Sequence, residues 1–211
     1  MMKVLWLAVC KLLLINISQS TFTKDSACGV TKGCYSDCAT GCTYLISWSS
    51  GPSVVTFTIK VELSTNADQY GAFGLSSTQS MDAASVTACL MTSSGATFTP
   101  RNYYNTGYAN RGVLNPTNGL SSSSGSYVGT VMTCTFDRSI TNTDGQVFNL
   151  QNDYYMLFAA GVVSGLTNLN YHNTRRTVSS VLVDLQSVVD VGAAKDELPR
   201  IKAHGKSAYY G

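Results

Sequence analysis

Val55, Phe57, Ile59, Val61 and Leu63 are apolar and alternate with Thr56, Thr58, Lys60 and Glu62. Successive side chains of a strand point to opposite faces, so this run puts one face in a core and the other toward water. A helix would need an apolar stripe repeating near ~3.6 residues, which the run does not offer. Runs that also read as strands follow at 70–75, 85–91, 127–136, 154–163 and 177–185. Between them stand turn formers: SSG at 93–95, NPTNG at 115–119, SSSSG at 121–125 and NTDG at 142–145. Many strands, regular turns and no stretch rich in helix formers predict an all-β chain, an antiparallel sandwich or barrel.

The first twenty residues, MMKVLWLAVCKLLLINISQS, carry a basic Lys3, an apolar stretch and a Ser-Gln-Ser end, the pattern of a secretory signal peptide over 1–20. Lys11 interrupts the apolar stretch, so no uncharged run reaches the roughly 18 residues of a spanning helix. The expectation is a secreted, extracellular chain with no integral membrane segment after the leader. The formal charge of +2 is carried by Lys3 and Lys11, which leaves the rest balanced and gives nucleic acid or an anionic bilayer nothing to grip.

Cys10 falls in the leader, and six cysteines remain: Cys28, Cys34, Cys38, Cys42, Cys89 and Cys134. An even number in an exported chain reads as three disulfides, and the spacing lacks the Cys-x2-Cys knuckle of a zinc site. Many pairings are open. The natural grouping keeps the four N-terminal cysteines among themselves and joins Cys89 to Cys134, since each of that pair sits mid-strand. The organisation expected is a Cys-rich segment over 21–45, one disulfide-stabilised domain over 46–186, and a charged tail over 187–211. The KDEL at 195–198 is internal and is no retention address.

Three stretches, in this order, resemble one family. YGAFGLSSTQSMDAASVTAC (70–89) resembles the Gly-Ala-Phe-Gly strand, Met-bearing loop and Cys-bearing strand of DOMON domains. CTFDR (134–138) resembles their Cys-x-Phe-x-Arg strand, and YYMLFAAGVVSGLTNLNYHNTRR (154–176) their Ala-x-Gly strand followed by Tyr-His. CGVTKGCYSDC (28–38) and LPRIKAHG (198–205) narrow the likeness to ferric-chelate reductase type proteins, in which a DOMON domain precedes a membrane b-type cytochrome. The order of the motifs, more than any one of them, makes the likeness specific. In two places the chain departs from it. DAAS follows Met81 where relatives carry glycine and acidic residues, and the sequence ends at Gly211 where their first membrane helix would begin.

The resemblance implies a β-sandwich of immunoglobulin-like build and, in some relatives, haem b held by one methionine and one histidine. Carried onto this chain, the ligands are Met81 and His172. Tyr154, Tyr155, Phe158 and Phe73 would line an apolar slot, and Arg175 or Arg176 would pair with the propionates. A thioether favours ferrous iron and imidazole accepts either oxidation state, so a chain holding such an iron passes electrons. The partner implied is a redox protein or membrane b-type cytochrome, which makes the chain a component of a ferric-reductase system. Each residue has a plainer role available: core packing for Tyr154 and Phe158, an exposed turn for His172. No Gly-x-Ser-x-Gly elbow, phosphate loop or His-Glu-x-x-His occurs, so no hydrolase or nucleotide chemistry is legible. The other reading is a haem-free module that recognises a sugar, a catechol-like ligand or a protein through RNYYNTGYANRG (101–112).

Overall fold

The computed structural model describes residues 22–165, 167–172 and 175–193. Residues 1–21, the expected leader among them, and everything beyond residue 193, including His204 and the KDEL, lie outside the described residues. No helix among the described residues is long and apolar enough to cross a membrane.

Two sheets face each other. Sheet I runs β10 (Leu120–Val128), β11 (Val131–Ser139), β5 (Val54–Glu62), β4 (Tyr44–Ser50), β2 (Gly33–Ser36), β15 (Asp190–Gly192). Sheet II runs β13 (Asn168–Leu169), β12 (Tyr154–Ser164), β6 (Gln69–Ser76), β7 (Ser85–Thr92), β8 (Thr97–Thr106), β9 (Ala109–Gly112), with β14 (Arg176–Val183) also on β12. β1 (Phe22–Thr23) and β3 (Gly41–Cys42) form a small ribbon. Neighbouring strands are antiparallel except β15, which returns parallel to β2. The chain is an all-β antiparallel sandwich.

The alternation of β5 sets the arrangement: Val55, Phe57, Ile59 and Val61 are fully buried while the residues between them are half-exposed. Phe57 stacks on Phe73 from the opposite sheet at 4.6 Å, with Phe136 at 6.0 Å. Such buried rings supply about 2 kcal/mol or more each. Disulfides join Cys28 to Cys34, Cys38 to Cys42 and Cys89 to Cys134. The last links β7 to β11 and so fastens one sheet to the other.

Several expected features change form. SSSSG is the middle of strand β10, exposed throughout and interrupted by a bulge between Ser121 and Ser124. The run at 127–136 is split by a turn at Gly129 and Thr130, whose ends pair as Val128 with Val131. The segment read as a tail from residue 187 contributes β15, and Val191 is buried there beside Tyr35.

Candidate functional site

β13 and β14 lie along the same edge of β12, Leu169 opposite Val163 and Arg176 opposite Ala159. Asn170 N–H donates to Val162 at 2.9 Å, and Ala160 N–H donates to Arg175 at 3.0 Å. Tyr171 and His172 therefore leave the edge in a bulge opposite Gly161, and bulges of this kind re-aim side chains. Tyr70 crosses Gly161 so closely that a Cβ there would sit 3.0 Å from its ring, and its hydroxyl donates to Asn170 O at 3.0 Å. Tyr103 likewise donates to Thr167 O at 2.8 Å. Two buried tyrosines thus pin the segment that leads into the bulge.

His172 sits in that bulge. It stacks on Tyr171 at 5.0 Å, and the guanidinium of Arg176 lies 5.9 Å from the Tyr171 ring and donates to its hydroxyl at 3.1 Å. Nδ1 of His172 is buried and has no hydrogen-bond partner among the described residues. Burial, and then the charge of Arg176, hold its pKa below 6.5. The imidazole is neutral near pH 7, the form that donates a lone pair to a metal.

The sign of the pH effect follows. The folded protein resists protonating His172 and the unfolded chain does not, so stability falls as pH drops below 6.5 toward the lower folded value. Denaturation at pH 5 and 7.5 is expected to show a smaller acid loss in His172→Gln than in the wild type. Equal losses would remove His172 as the cause.

Beside the bulge, the outer face of sheet II carries small and aliphatic side chains. Ala72, Val86 and Ala88 pack there with half-buried Leu157 and Ala159. Gly74 lies among them, so near that an added Cβ would touch Leu157 at 3.3 Å. At the far end of this strip the chain leaves β6 into the loop 77–84. Gln79 Nε2 donates to Ser179 O at 3.1 Å on β14, and Asp82 accepts from Gly107 N–H at 2.6 Å on the β8–β9 hairpin. Met81 lies half-buried between these two anchors. Ser179 is level with Met156 and the bulge with Gly161, so loop and bulge border the strip at ends five residues apart, about 16 Å at ~3.3 Å per residue.

Of the expected aromatic lining, half-buried Tyr155 shares the outer face with Leu157, and the other three rings sit elsewhere. Tyr154 and Phe158 face the interior: Tyr154 donates to Asn149 O at 3.0 Å and stacks with Phe148 at 5.4 Å, and Phe158 stacks on Tyr44 at 3.9 Å. Phe73 is in the same core. The period of two explains it, since 154, 156 and 158 share one face and 155, 157 and 159 the other. Leu157 and Ala159 were legible by that rule and passed over in favour of aromatic rings.

The two arginines have different partners. Arg176 donates to the Tyr171 hydroxyl, while Arg175 donates to the backbone carbonyl of Glu62. Both also line a cleft of about 480 Å³ at the end of the sandwich, with Asp37, Tyr44, Glu62, Phe158 and Thr177. On its floor Thr177 Oγ1 donates to Tyr44 at 2.6 Å and lies 2.8 Å from the Tyr35 hydroxyl. Burial pushes the Tyr35 phenol up to about 12 and Tyr44 higher still, so both stay neutral.

Within 101–112, Tyr103 is buried, Tyr104 packs edge-on to Phe148 at 6.3 Å, and only Tyr108 stands clear at the hairpin tip, 76% exposed. The stacking surface expected of this stretch reduces to one ring.

Comparison with known proteins agrees with this architecture. The family model of the DOMON domain matches residues 40–161. A protein of Danio rerio named "Putative ferric-chelate reductase 1" is 28% identical over 197 residues, covering 88% of this chain and 32% of that protein. The chain therefore spans about a third of that relative's length. With a match over more than half its residues, on a sandwich of two antiparallel sheets, this chain belongs to the DOMON-domain family.

Proposed function

We propose that this domain is an extracellular electron-transfer module, in which His172 and Met81 would hold haem b. The observation that carries the reading is the neutral imidazole of His172, half-buried with a nitrogen that no described residue satisfies. A buried polar nitrogen left alone costs free energy, and a ligand bonded to it would remove that cost. Met81 supplies a thioether from a loop of polar residues, not from a packed core. The strip between the two rims is made of small and aliphatic side chains, a surface suited to a flat apolar group, and Arg176 stands at the rim as a cation for carboxylates. Bound haem supplies a single-electron couple, and a methionine ligand raises its potential.

This chain's own residues do the rest. Tyr70 and Tyr103 fix the bulge, Gln79 and Asp82 fix the Met81 loop, and the apolar strip keeps water away. The ferric-chelate reductase name of the Danio rerio relative supports a redox role, and three disulfides support export.

Protein produced with haem supplied is expected to show a sharp Soret band that shifts on reduction with dithionite. His172→Ala and Met81→Ala should each lose the six-coordinate spectrum while keeping the fold by circular dichroism. Protein that stays colourless ends the reading.

A further inference from the structure

The end cleft holds an arrangement that the electron-transfer reading does not use. Arg175 is half-buried, and one of its donors goes to the Glu62 carbonyl. A guanidinium has five N–H donors, so most of them remain. The carboxylates of Glu62 and Asp37 are near enough to hold its pKa up against the lowering by burial. Neither pairs with it: the ion pairs among the described residues are Lys24 with Asp190 and Lys32 with Asp25. Two guanidiniums, those of Arg175 and Arg176, and two carboxylates thus line a space of about 480 Å³ without pairing with one another.

The two acids differ. Asp37 already accepts from Thr43 N–H at 3.1 Å, the Thr43 hydroxyl at 2.5 Å and Tyr44 N–H at 3.3 Å, which fixes the turn ahead of β4. Among the described residues the Glu62 carboxylate accepts no hydrogen bond. Arg176 is held by the ring and hydroxyl of Tyr171, so the pair left for a ligand is the Arg175 fork and the Glu62 carboxylate, in a cleft whose lining charges balance.

We propose that this cleft binds a small zwitterion of the α-amino acid type, its carboxylate on Arg175 and its ammonium on Glu62. A bidentate guanidinium–carboxylate contact supplies orientation, and the second charge pair excludes ligands that carry one charge alone. The Tyr44–Phe158 stack, buried beneath, closes the floor and offers no open ring face, which disfavours a sugar. The site does not depend on haem.

The test is calorimetry and thermal shift on the full chain with L-leucine, isocaproate and isopentylamine. L-Leucine is expected to bind and raise the melting temperature, and the two analogues with one charge each are expected to bind far more weakly. Arg175→Gln, Arg175→Lys and Glu62→Gln should each weaken L-leucine by roughly tenfold to a hundredfold, the loss typical of a charged hydrogen-bonded contact. Glu62→Gln keeps the backbone carbonyl that Arg175 uses, so it tests the site even if an Arg175 variant folds poorly. Isocaproate binding as tightly as L-leucine overturns the zwitterion. Wild-type affinity in Glu62→Gln, or no binding of L-leucine at millimolar concentration, overturns the proposal. His172→Ala should leave binding intact, which separates this site from the haem reading.

Discussion

Replacing Cys89 and Cys134 together by alanine should lower the unfolding free energy by about 4 kcal/mol, more than the loss of either other disulfide. The bond closes a segment of sequence separation 45, against 6 for Cys28–Cys34 and 4 for Cys38–Cys42. Confining a longer loop removes more entropy from the unfolded chain, and the same relation gives about 2 kcal/mol for the shortest loop. The sulfurs of Cys89 and Cys134 also fill space in a core where both residues are fully buried, so alanine leaves a small void as well. Urea denaturation of the three double variants gives the ranking. Equal losses would mean that local geometry, and not loop length, governs these bonds.

Where the sequence was legible, one physical constraint had one solution. The alternation from Val55 to Leu63 fixes a strand with a buried face whatever its neighbours, and β5 indeed lies inside sheet I between β4 and β11. Cys89 and Cys134 at mid-strand pointed to a bond between packed strands, which is where the bond is found. Less legible were segments whose structure is decided by partners. Ser121–Gly125 has turn composition yet becomes strand because β11 offers a ladder to pair with. Residues 190–192 look like the start of a tail and become strand because β2 has a free edge. The candidate site shows the same division. Met81 and His172 follow from family likeness, but no pattern in the sequence announces that Tyr171 and His172 bulge opposite Gly161, or that Gln79 anchors the Met81 loop on β14. Those depend on contacts of long sequence separation. The end cleft was not foreseen, since Asp37, Glu62 and Arg175 are far apart in the chain and only the fold brings them around one space.

The second large effect is expected from a single methyl group, in Gly33→Ala. Gly33 lies in β2 opposite Trp48 of β4, and a Cβ at this position would stand 2.0 Å from the indole ring. Trp48 is 1% exposed, and its Nε1–H donates to Ser187 O at 3.2 Å, so it cannot rotate aside without breaking the contact that holds the chain returning to β15. Cys34 N–H donates to Val189 O at 2.7 Å in the same return. A methyl group here therefore strains the tryptophan, the start of β2 and the parallel edge together, a cost of about 3 kcal/mol. Strand preference alone argues the other way, since alanine for glycine should gain roughly 0.5–1 kcal/mol by restricting the unfolded chain. Gly112 on the exposed edge strand β9 isolates that gain, because an added Cβ there meets nothing within 4 Å. Gly112→Ala should leave the urea midpoint unchanged or slightly raised, and Gly33→Ala should lower it sharply with loss of the near-ultraviolet signal of Trp48. Should both variants shift alike, packing of the tryptophan over β2 would not be what seals this edge of the sandwich.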